Sequence, residues 1–316
     1  MDRNTKIYIA GHSGLVGASV LRRLKGDGYS NLVTRTSKEL NLLDQCATRD
    51  FFAEEQPEVV VLAAARVGGI MANMQYPAQF IYDNLLISAN VIDAAHRYGT
   101  RKLLNLGSSC IYPRMAPQPI QEDALLTGPL EMTNRPYAIA KIAAIEMCDA
   151  YRAQYGCDFI SAMPTNLYGP FDNFSLSSSH VLPALMRRTH EAKLAKADSV
   201  EIWGSGNPRR ELMYSDDMAD ACLFLLDYFS GSGPVNVGTG TDVTIRELAE
   251  MVRDVVGFEG ELRFDTSKPD GTPRKLMDVS RINANGWKAK TSLREGMEKT
   301  YQWFLEHEQE LPERAH

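Results

Sequence analysis

The stretch Ile7-Tyr8-Ile9-Ala10-Gly11-His12-Ser13-Gly14-Leu15-Val16-Gly17 decides the fold. Its first four residues read as a short buried strand. From Leu15 to Leu24 the apolar residues return at helical spacing. Between strand and helix the glycines stand as Gly-x-x-Gly-x-x-Gly. In such a turn Gly11 makes the tight bend, Gly14 lets the backbone approach a pyrophosphate, and Gly17 brings the helix close to the strand. The start of the helix then turns unpaired amides and a partial positive charge toward phosphates. Glycines at a turn also serve plain helix–strand packing. The strand-turn-helix context is what favours dinucleotide binding here.

Outward from this unit the chain alternates. Strands are expected at 32–34, 59–62, 102–106 and 159–163, with helices over 78–98 and 137–155. The run Val59-Val60-Val61-Leu62 is continuously apolar and largely β-branched, as a strand buried on both faces should be. This rhythm predicts an α/β fold, a Rossmann-type doubly wound parallel sheet with helices on both faces. After about Gly169 Pro, Ser and Gly become frequent and the elements shorten. Helices are expected over 244–256, with Thr244 as N-cap, and over 292–306. The expected division is a dinucleotide-binding domain over 1–169, with a return near 211–240, and a smaller α+β substrate-binding domain over 170–316. The polar tail from about Glu308 is expected to fray.

Composition narrows the function classes. Of 316 residues, 44% are hydrophobic and 23% charged, which is ordinary for a globular chain. The net charge of -6 argues against a nucleic-acid binder that works by counterion release. Five cysteines, an odd number with no C-x-x-C pair, read as reduced thiols and resemble no zinc ligand set, so no metal is expected. Met1 to Lys6 runs directly into the first strand, without an apolar stretch of signal-peptide form. No apolar run is long enough to span a membrane. A cytoplasmic, soluble protein is expected.

The end of the second strand normally carries an acidic residue for an adenosine ribose. Here it reads Thr34-Arg35-Thr36-Ser37-Lys38. A carboxylate would repel a 2′-phosphate, whereas Arg35, Lys38 and hydroxyls would accept one, which favours NADP over NAD. The plainer reading is a solvated basic turn. Further on, Tyr137 and Lys141 lie four residues apart, one turn along one helix face. A lysine cation beside a phenol favours phenolate and should lower its pKa. Ser108 follows the strand 102–106 through Gly107, at the carboxyl end of a central strand where open α/β sheets hold ligands. A serine there can donate to a carbonyl oxygen and align it with the phenol.

Five further segments carry a family resemblance. They are Ala63-Ala64-Ala65-Arg66-Val67-Gly68-Gly69-Ile70, Gly107-Ser108-Ser109-Cys110-Ile111-Tyr112-Pro113, Pro164-Thr165-Asn166-Leu167-Tyr168-Gly169-Pro170, Trp203-Gly204-Ser205-Gly206 and Ser267-Lys268-Pro269-Asp270-Gly271-Thr272-Pro273-Arg274-Lys275. With the glycine turn they resemble the extended short-chain dehydrogenase/reductases, from Ile9 to about Leu305. Within that family the chain is most similar to enzymes that epimerise and then reduce a GDP-linked 4-keto-6-deoxy sugar. The resemblance implies that Ser108, Tyr137 and Lys141 form the reductase triad and that Cys110 and His180 perform epimerisation. It places NADP contacts on Gly11, Ser13, Gly14, Leu15, Val16, Gly17, Asn41, Leu42, Leu106, Gly107, Ser108, Ser109, Lys141, Pro164, Thr165, Asn166, Leu167 and His180. Arg35 joins them from the reading above. Substrate contacts fall on Arg188, Trp203, Arg210 and Asp270. The resemblance also implies a homodimer, through a four-helix contact of 78–98 and 137–155. The family often has arginine where this chain has Ser13 and Ser37, which leaves Arg35 and Lys38 to meet a 2′-phosphate.

The implied chemistry needs these residue types. A 4-keto group acidifies the hydrogens on carbons 3 and 5. Inversion removes one proton and restores it on the other face, which takes a base and an acid on opposite sides. Cys110 serves as a thiolate if its pKa falls below ~8.5. His180 can be protonated near neutral pH. Ser108 and Tyr137 can hold the enolate oxygen. Each residue also has a plainer reading: Cys110 as a small buried hydrophobe, His180 and the pairs Arg187-Arg188 and Arg209-Arg210 as surface groups, Trp203 as core filling. Sugar 4,6-dehydratases carry two acidic residues where Ser109 and Cys110 stand, which argues against water elimination. Two alternatives remain: a related 4-keto sugar (3,6-dideoxy or heptose), and a non-catalytic NADP-sensing module, which would not need Tyr137 and Lys141.

Overall fold

Strand β1 (Ile7–Ala10) divides its side chains between two cores. Ile7 and Ile9 enter one, Tyr8 and Ala10 the other. That alternation of two apolar sets marks a strand covered on both faces. In the computed structural model, which describes residues 1–176, 179–268 and 270–310, the chain continues through α1 (Leu15–Gly26), β2 (Leu32–Val33), α2 (Gln45–Glu55) and β3 (Val59–Leu62). Then come α3 (Ile70–Gln75), α4 (Pro77–Arg97), β4 (Lys102–Leu106), α5 (Arg135–Tyr155), β5 (Asp158–Pro164) and β6 (Asn166–Tyr168). Ser177, Ser178, Pro269 of the 267–275 motif and the tail 311–316 lie outside the described residues.

The rest of the chain runs α6 (Val181–Leu194), β7 (Ser199–Trp203), β8 (Arg209–Arg210), β9 (Leu212–Tyr214), α7 (Ser215–Tyr228) and β10 (Pro234–Val237). It ends with β11 (Val243–Thr244), α8 (Ile245–Val256), β12 (Glu261–Asp265), β13 (Arg274–Lys275), α9 (Ser280–Ala284) and α10 (Leu293–His307). The main sheet is parallel, in the order β10-β5-β4-β3-β1-β2. One face is covered by α1 and α7, whose Val20, Leu24, Met218 and Leu225 meet Ile9, Val61 and Leu104. The other is covered by α2, α4 and α5, through Phe52, Val91, Ile92 and Ala144. This is the doubly wound parallel sheet.

A second apolar cluster joins α6, α8 and α10 to β7, through Leu182, Leu185, Val200, Ile202, Leu248, Val252, Met297 and Phe304. Helix α8 starts on a capping box in which Thr244 and Glu247 bond each other's backbone amides. Beside it β8 pairs antiparallel with β11 and parallel with β13, so Arg210 lies opposite Lys275. Between these elements the chain returns to the main sheet twice. β10 pairs with β5, and Ile282 and Trp287 pack into the first core. The second return, around α9, has no signal in the sequence because the segment is short. Helix α2 also has little signal in the sequence, since only Thr48, Phe51 and Phe52 of it are buried. Among the described residues no helix is long and apolar enough to cross a membrane.

Candidate active site

The glycine turn opens at the carboxyl end of β1. Gly11 has φ +84, a left-handed value that favours glycine, and a Cβ there would come within 2.6 Å of the Ala64 backbone. The Gly14 amide donates to the Gly11 carbonyl at 3.1 Å, and Gly14 is the N-cap of α1. A Cβ on Gly17 would overlap the Gly11 carbonyl oxygen. No side chain caps α1, so the first amides around Leu15 and Val16 face an open cradle. Ser13 is exposed at its rim. The buried Nδ1 of His12 has no hydrogen-bond partner among the described residues. A cradle that any Cβ would fill, lined by unpaired donors, fits a dinucleotide pyrophosphate.

At the adenosine end the guanidinium of Arg35 is already engaged. It pairs with Glu55 at 2.6 Å, donates to the Thr34 carbonyl at 2.9 Å and lies over the Phe51 ring. Ser37 and Lys38 are exposed. Glu39 accepts from the Thr36 amide at 2.7 Å and from its hydroxyl at 2.8 Å. Asn41 accepts from the Leu43 amide at 3.1 Å, and the Leu42 carbonyl from Asn90 at 2.9 Å.

The carboxyl ends of β4 and β5 and the first turns of α5 frame the centre of the cleft. The Gly107 amide donates to the Ala162 carbonyl at 2.9 Å, and the missing Cβ leaves room for the Met163 side chain. Ser108 then caps a short turn (Ser109–Ile111), so that Cys110 points back beside it; the Cys110 amide lies 3.4 Å from Ser108 Oγ. On α5 the Lys141 ammonium is buried, donates to the Leu106 carbonyl at 2.8 Å and lies 5.8 Å from the centre of the Tyr137 ring. Tyr137 packs edge-on against Phe80 and lies near Ser108, whose hydroxyl favours its ionised form. His180 is the N-cap residue of α6. The loop after β5 is tied down by the Glu211 carbonyl, which accepts from Thr165 at 3.2 Å and from Asn166 at 3.0 Å. That fixes Pro164, Thr165, Asn166 and Leu167 beside the cleft.

The titrating groups shift in ways the sequence did not foresee. A lysine-lowered phenol is expected from the Tyr137–Lys141 spacing, but burial pushes Tyr137 above its ordinary value, with the charge of Cys110 adding to the rise. Lys141 is drawn down by burial, to about 8. Cys110 is raised by burial, partly offset by Lys275, Ser108 and Lys141. His180 is lowered, first by the protein crowding its imidazole and then by Lys275, although the residue as a whole is exposed. The cause is common. Walls of low polarity penalise every charged form, and a helical one-turn spacing does not reveal how deeply a pair is enclosed.

Lys275, inside the 267–275 motif, carries no local signal of a role in the cleft. It lies half-buried opposite Arg210 and acts on both Cys110 and His180. Strand pairing is what brings it to the cleft.

The remaining predicted contacts lie along β7, β8 and the loop before β13. Arg188 donates to the Glu201 carbonyl at 3.1 Å. The Trp203 ring is 62% exposed, which excludes core filling, and its indole N–H donates to Glu201 at 3.2 Å. Asp270 accepts from the Ser205 amide at 2.9 Å and hydroxyl at 2.7 Å. The two adjacent arginines differ. Arg209 pairs with Asp242 at 2.9 Å, whereas among the described residues Arg210 donates only to carbonyls, of Thr272 and Arg209, both at 2.7 Å. Arg187 pairs with Glu191 at 2.8 Å. Among the described residues no cluster of side chains could hold a metal ion.

The model of the NAD dependent epimerase/dehydratase family matches residues 7–238. The chain is 59% identical to GDP-L-fucose synthase 1 of Arabidopsis thaliana, over 97% of this chain and 95% of that protein. It is 54% identical to GDP-L-fucose synthase of Escherichia coli K12, over 96% and 97%. Among solved structures it is similar to a GDP-L-fucose synthetase from Naegleria fowleri bound to NADP, with TM-score 0.90 and 29% identity over 98% of this chain and 96% of that one. A glycine cradle at the end of β1, a Tyr–Lys pair on the helix beside the end of β4, and these matches along nearly the whole length place the chain in the NAD dependent epimerase/dehydratase family.

Proposed function

We propose that the protein converts GDP-4-keto-6-deoxy-D-mannose to GDP-L-fucose, by epimerisation at carbons 3 and 5 followed by NADPH-dependent reduction of the 4-keto group. The observation that carries this reading is the gathering of Ser108, Cys110 and the Tyr137–Lys141 pair at the carboxyl end of β4, on the side of the sheet where the glycine turn opens, with His180 at the start of α6. High identity to two GDP-L-fucose synthases supports the substrate, and the NADP-bound relative supports the cofactor.

The cradle from Gly11 to Gly17 would hold the pyrophosphate, and Lys141 a ribose hydroxyl. When bound, NADPH supplies the hydride for carbon 4. Tyr137, kept as a phenol by burial, gives its proton to the carbonyl oxygen, which reduction requires. Ser108 donates to the same oxygen and stabilises the enolate that precedes it. Cys110 and His180 work from opposite sides of the sugar ring as proton acceptor and donor. Arg210 and Arg188, neither paired with a carboxylate among the described residues, meet the diphosphate, while the exposed Trp203 ring and Asp270 meet the base. The division of labour follows: 1–169 with the return near 211–240 for NADP, and the remainder of 170–316 for the nucleotide sugar. A cytoplasmic homodimer through α4 and α5 completes the reading; Tyr82 and Ile139 are exposed apolar residues on those helices.

The deciding experiment incubates the protein with the keto sugar and NADPH and identifies the product by NMR. GDP-L-fucose is expected. NADPH binding without turnover would favour the sensing module, and turnover only of a heptose or dideoxy keto sugar would favour a related reductase.

A further inference from the structure

We propose that Glu211 is a positioning residue for hydride transfer: it fixes the strand that carries Arg210 against the loop that carries Thr165 and Asn166, and so sets the nucleotide-sugar wall of the cleft at its distance from the nicotinamide wall. The inference rests on the reading of Arg210 as a diphosphate contact and of 164–167 as a cofactor contact.

The chain changes partners at this residue. Before it, Arg209 and Arg210 pair with β11 and β13. After it, Leu212 to Tyr214 pair with β6, which follows directly on β5. Glu211 belongs to neither ladder, and its backbone spans the gap. Its amide donates to the Lys275 carbonyl at 3.3 Å. Its carbonyl accepts from Thr165 Oγ1 at 3.2 Å and from Asn166 Nδ2 at 3.0 Å.

The side chain, fully buried, is a clamp on two more segments. Oε1 accepts from the amides of Thr239 at 2.7 Å and Gly240 at 2.8 Å, and Oε2 accepts from the Met277 amide at 2.9 Å. Gly240 has φ +72, a left-handed value that helps turn two successive amides toward one oxygen, a concavity suited to an anion. Gly238 passes so close that a Cβ there would overlap Oε1. Among the described residues no cation pairs with this carboxylate, so the amides stabilise its charge and fix its place. Both acceptor oxygens are in use. A glutamine of the same length has one acceptor oxygen and would turn an NH₂ group toward a backbone N–H.

The clamp holds what the reaction must align. The Arg210 guanidinium donates to the Thr272 and Arg209 carbonyls at 2.7 Å, so it moves with its strand. On the facing side the Thr165 amide donates to the Val237 carbonyl at 3.0 Å, which anchors the cofactor loop to the main sheet. Each ligand needs only its own wall to bind. Hydride transfer needs both, because the reacting carbons must lie about 3–3.5 Å apart. An error in the separation of the walls therefore falls on the rate more than on cofactor affinity.

The test compares wild type with Glu211→Gln. NADPH fluorescence titration counts the folded, cofactor-competent sites, and its affinity should stay close to wild type. Hydride transfer in a single turnover, expressed per bound NADPH, should fall by about 10- to 100-fold, the scale of a ~1 Å misplacement. GDP, the probe of the Arg210 wall, should bind about tenfold more weakly, as loss of one charge-assisted hydrogen bond predicts. Glu211→Asp, which keeps the charge but draws the carboxylate back by one carbon, should show the same losses and serves if the glutamine variant does not fold. A purely stabilising carboxylate would lower the melting temperature and the number of competent sites only. Wild-type turnover per bound NADPH together with wild-type GDP affinity in a folded variant overturns the proposal. The two readings fail separately: if wild type binds GDP and NADPH but reduces no keto sugar, the proposed reaction falls, and GDP affinity in the variants still decides the clamp.

Discussion

The carbonyl oxygen of Gly11 occupies the space in which a Cβ on Gly17 would stand. This contact lets α1 begin directly over the end of β1, so that its free amides face the cleft. Gly17→Ala would force helix and turn apart. Overpacking of this kind costs about 1–3 kcal/mol, and the cradle would be displaced with it. Thermal unfolding should show the lower stability, and NADPH fluorescence titration a weakened complex. Wild-type NADPH affinity in this variant would contradict the assigned cradle.

Tyr137→Phe separates the two halves of the reaction. Loss of a positioned proton donor should lower hydride transfer by roughly 10²–10⁴-fold, whereas deuterium wash-in at carbons 3 and 5 should persist. Cys110→Ser should show the opposite pattern, losing wash-in more than hydride transfer. Single-turnover NADPH oxidation and NMR of the sugar read the two activities side by side. Parallel losses in both variants would mean that the cleft does not divide the work in this way.

Lys141 makes the reduction pH-dependent. Burial draws its ammonium from 10.5 down to about 8, so the charge needed beside the cofactor ribose is lost as pH rises through that value. The rate of hydride transfer in wild type should fall on this alkaline limb. Lys141→Arg, which stays charged, should flatten it. The effect on stability has the opposite sense. The unfolded chain holds this proton up to about 10.5, so the lysine's contribution is full above that pH and is lost as pH falls toward about 8. Rate and unfolding free energy measured over the same pH series should therefore move in opposite directions.

Glu211 binds three backbone amides with one carboxylate and has no cation partner in an ion pair among the described residues. Glu211→Ala would leave those buried donors unsatisfied, at about 1–3 kcal/mol each. The melting temperature should drop by well over 5 °C, since ~1 kcal/mol moves it by a few degrees in a chain of this size. KM for the nucleotide sugar should rise more than KM for NADPH, because Arg210 and Lys275 flank the clamp. A rise confined to NADPH would place the clamp's influence on the Thr165–Asn166 loop instead.

Local pattern alone determined the glycine turn, the parallel sheet and the helix carrying Tyr137 and Lys141. Strand runs, helical spacing and a glycine's lack of a side chain act over a few residues, so they are legible in order along the chain. The capping box at Thr244 is legible for the same reason. Tertiary structure decided what those residues can do. Only strand pairing sets Lys275 opposite Arg210, and its electrostatic influence on Cys110 and His180 arises only in the folded chain. Arg209 and Arg210 are neighbours in sequence, yet Asp242, more than thirty residues away, binds the first, and the second has no carboxylate partner among the described residues. The shifts of Tyr137, Cys110 and His180 follow from burial, a property of the whole enclosing wall. Proximity of charges and exclusion of water come from residues distant in sequence, so no local spacing could have announced them.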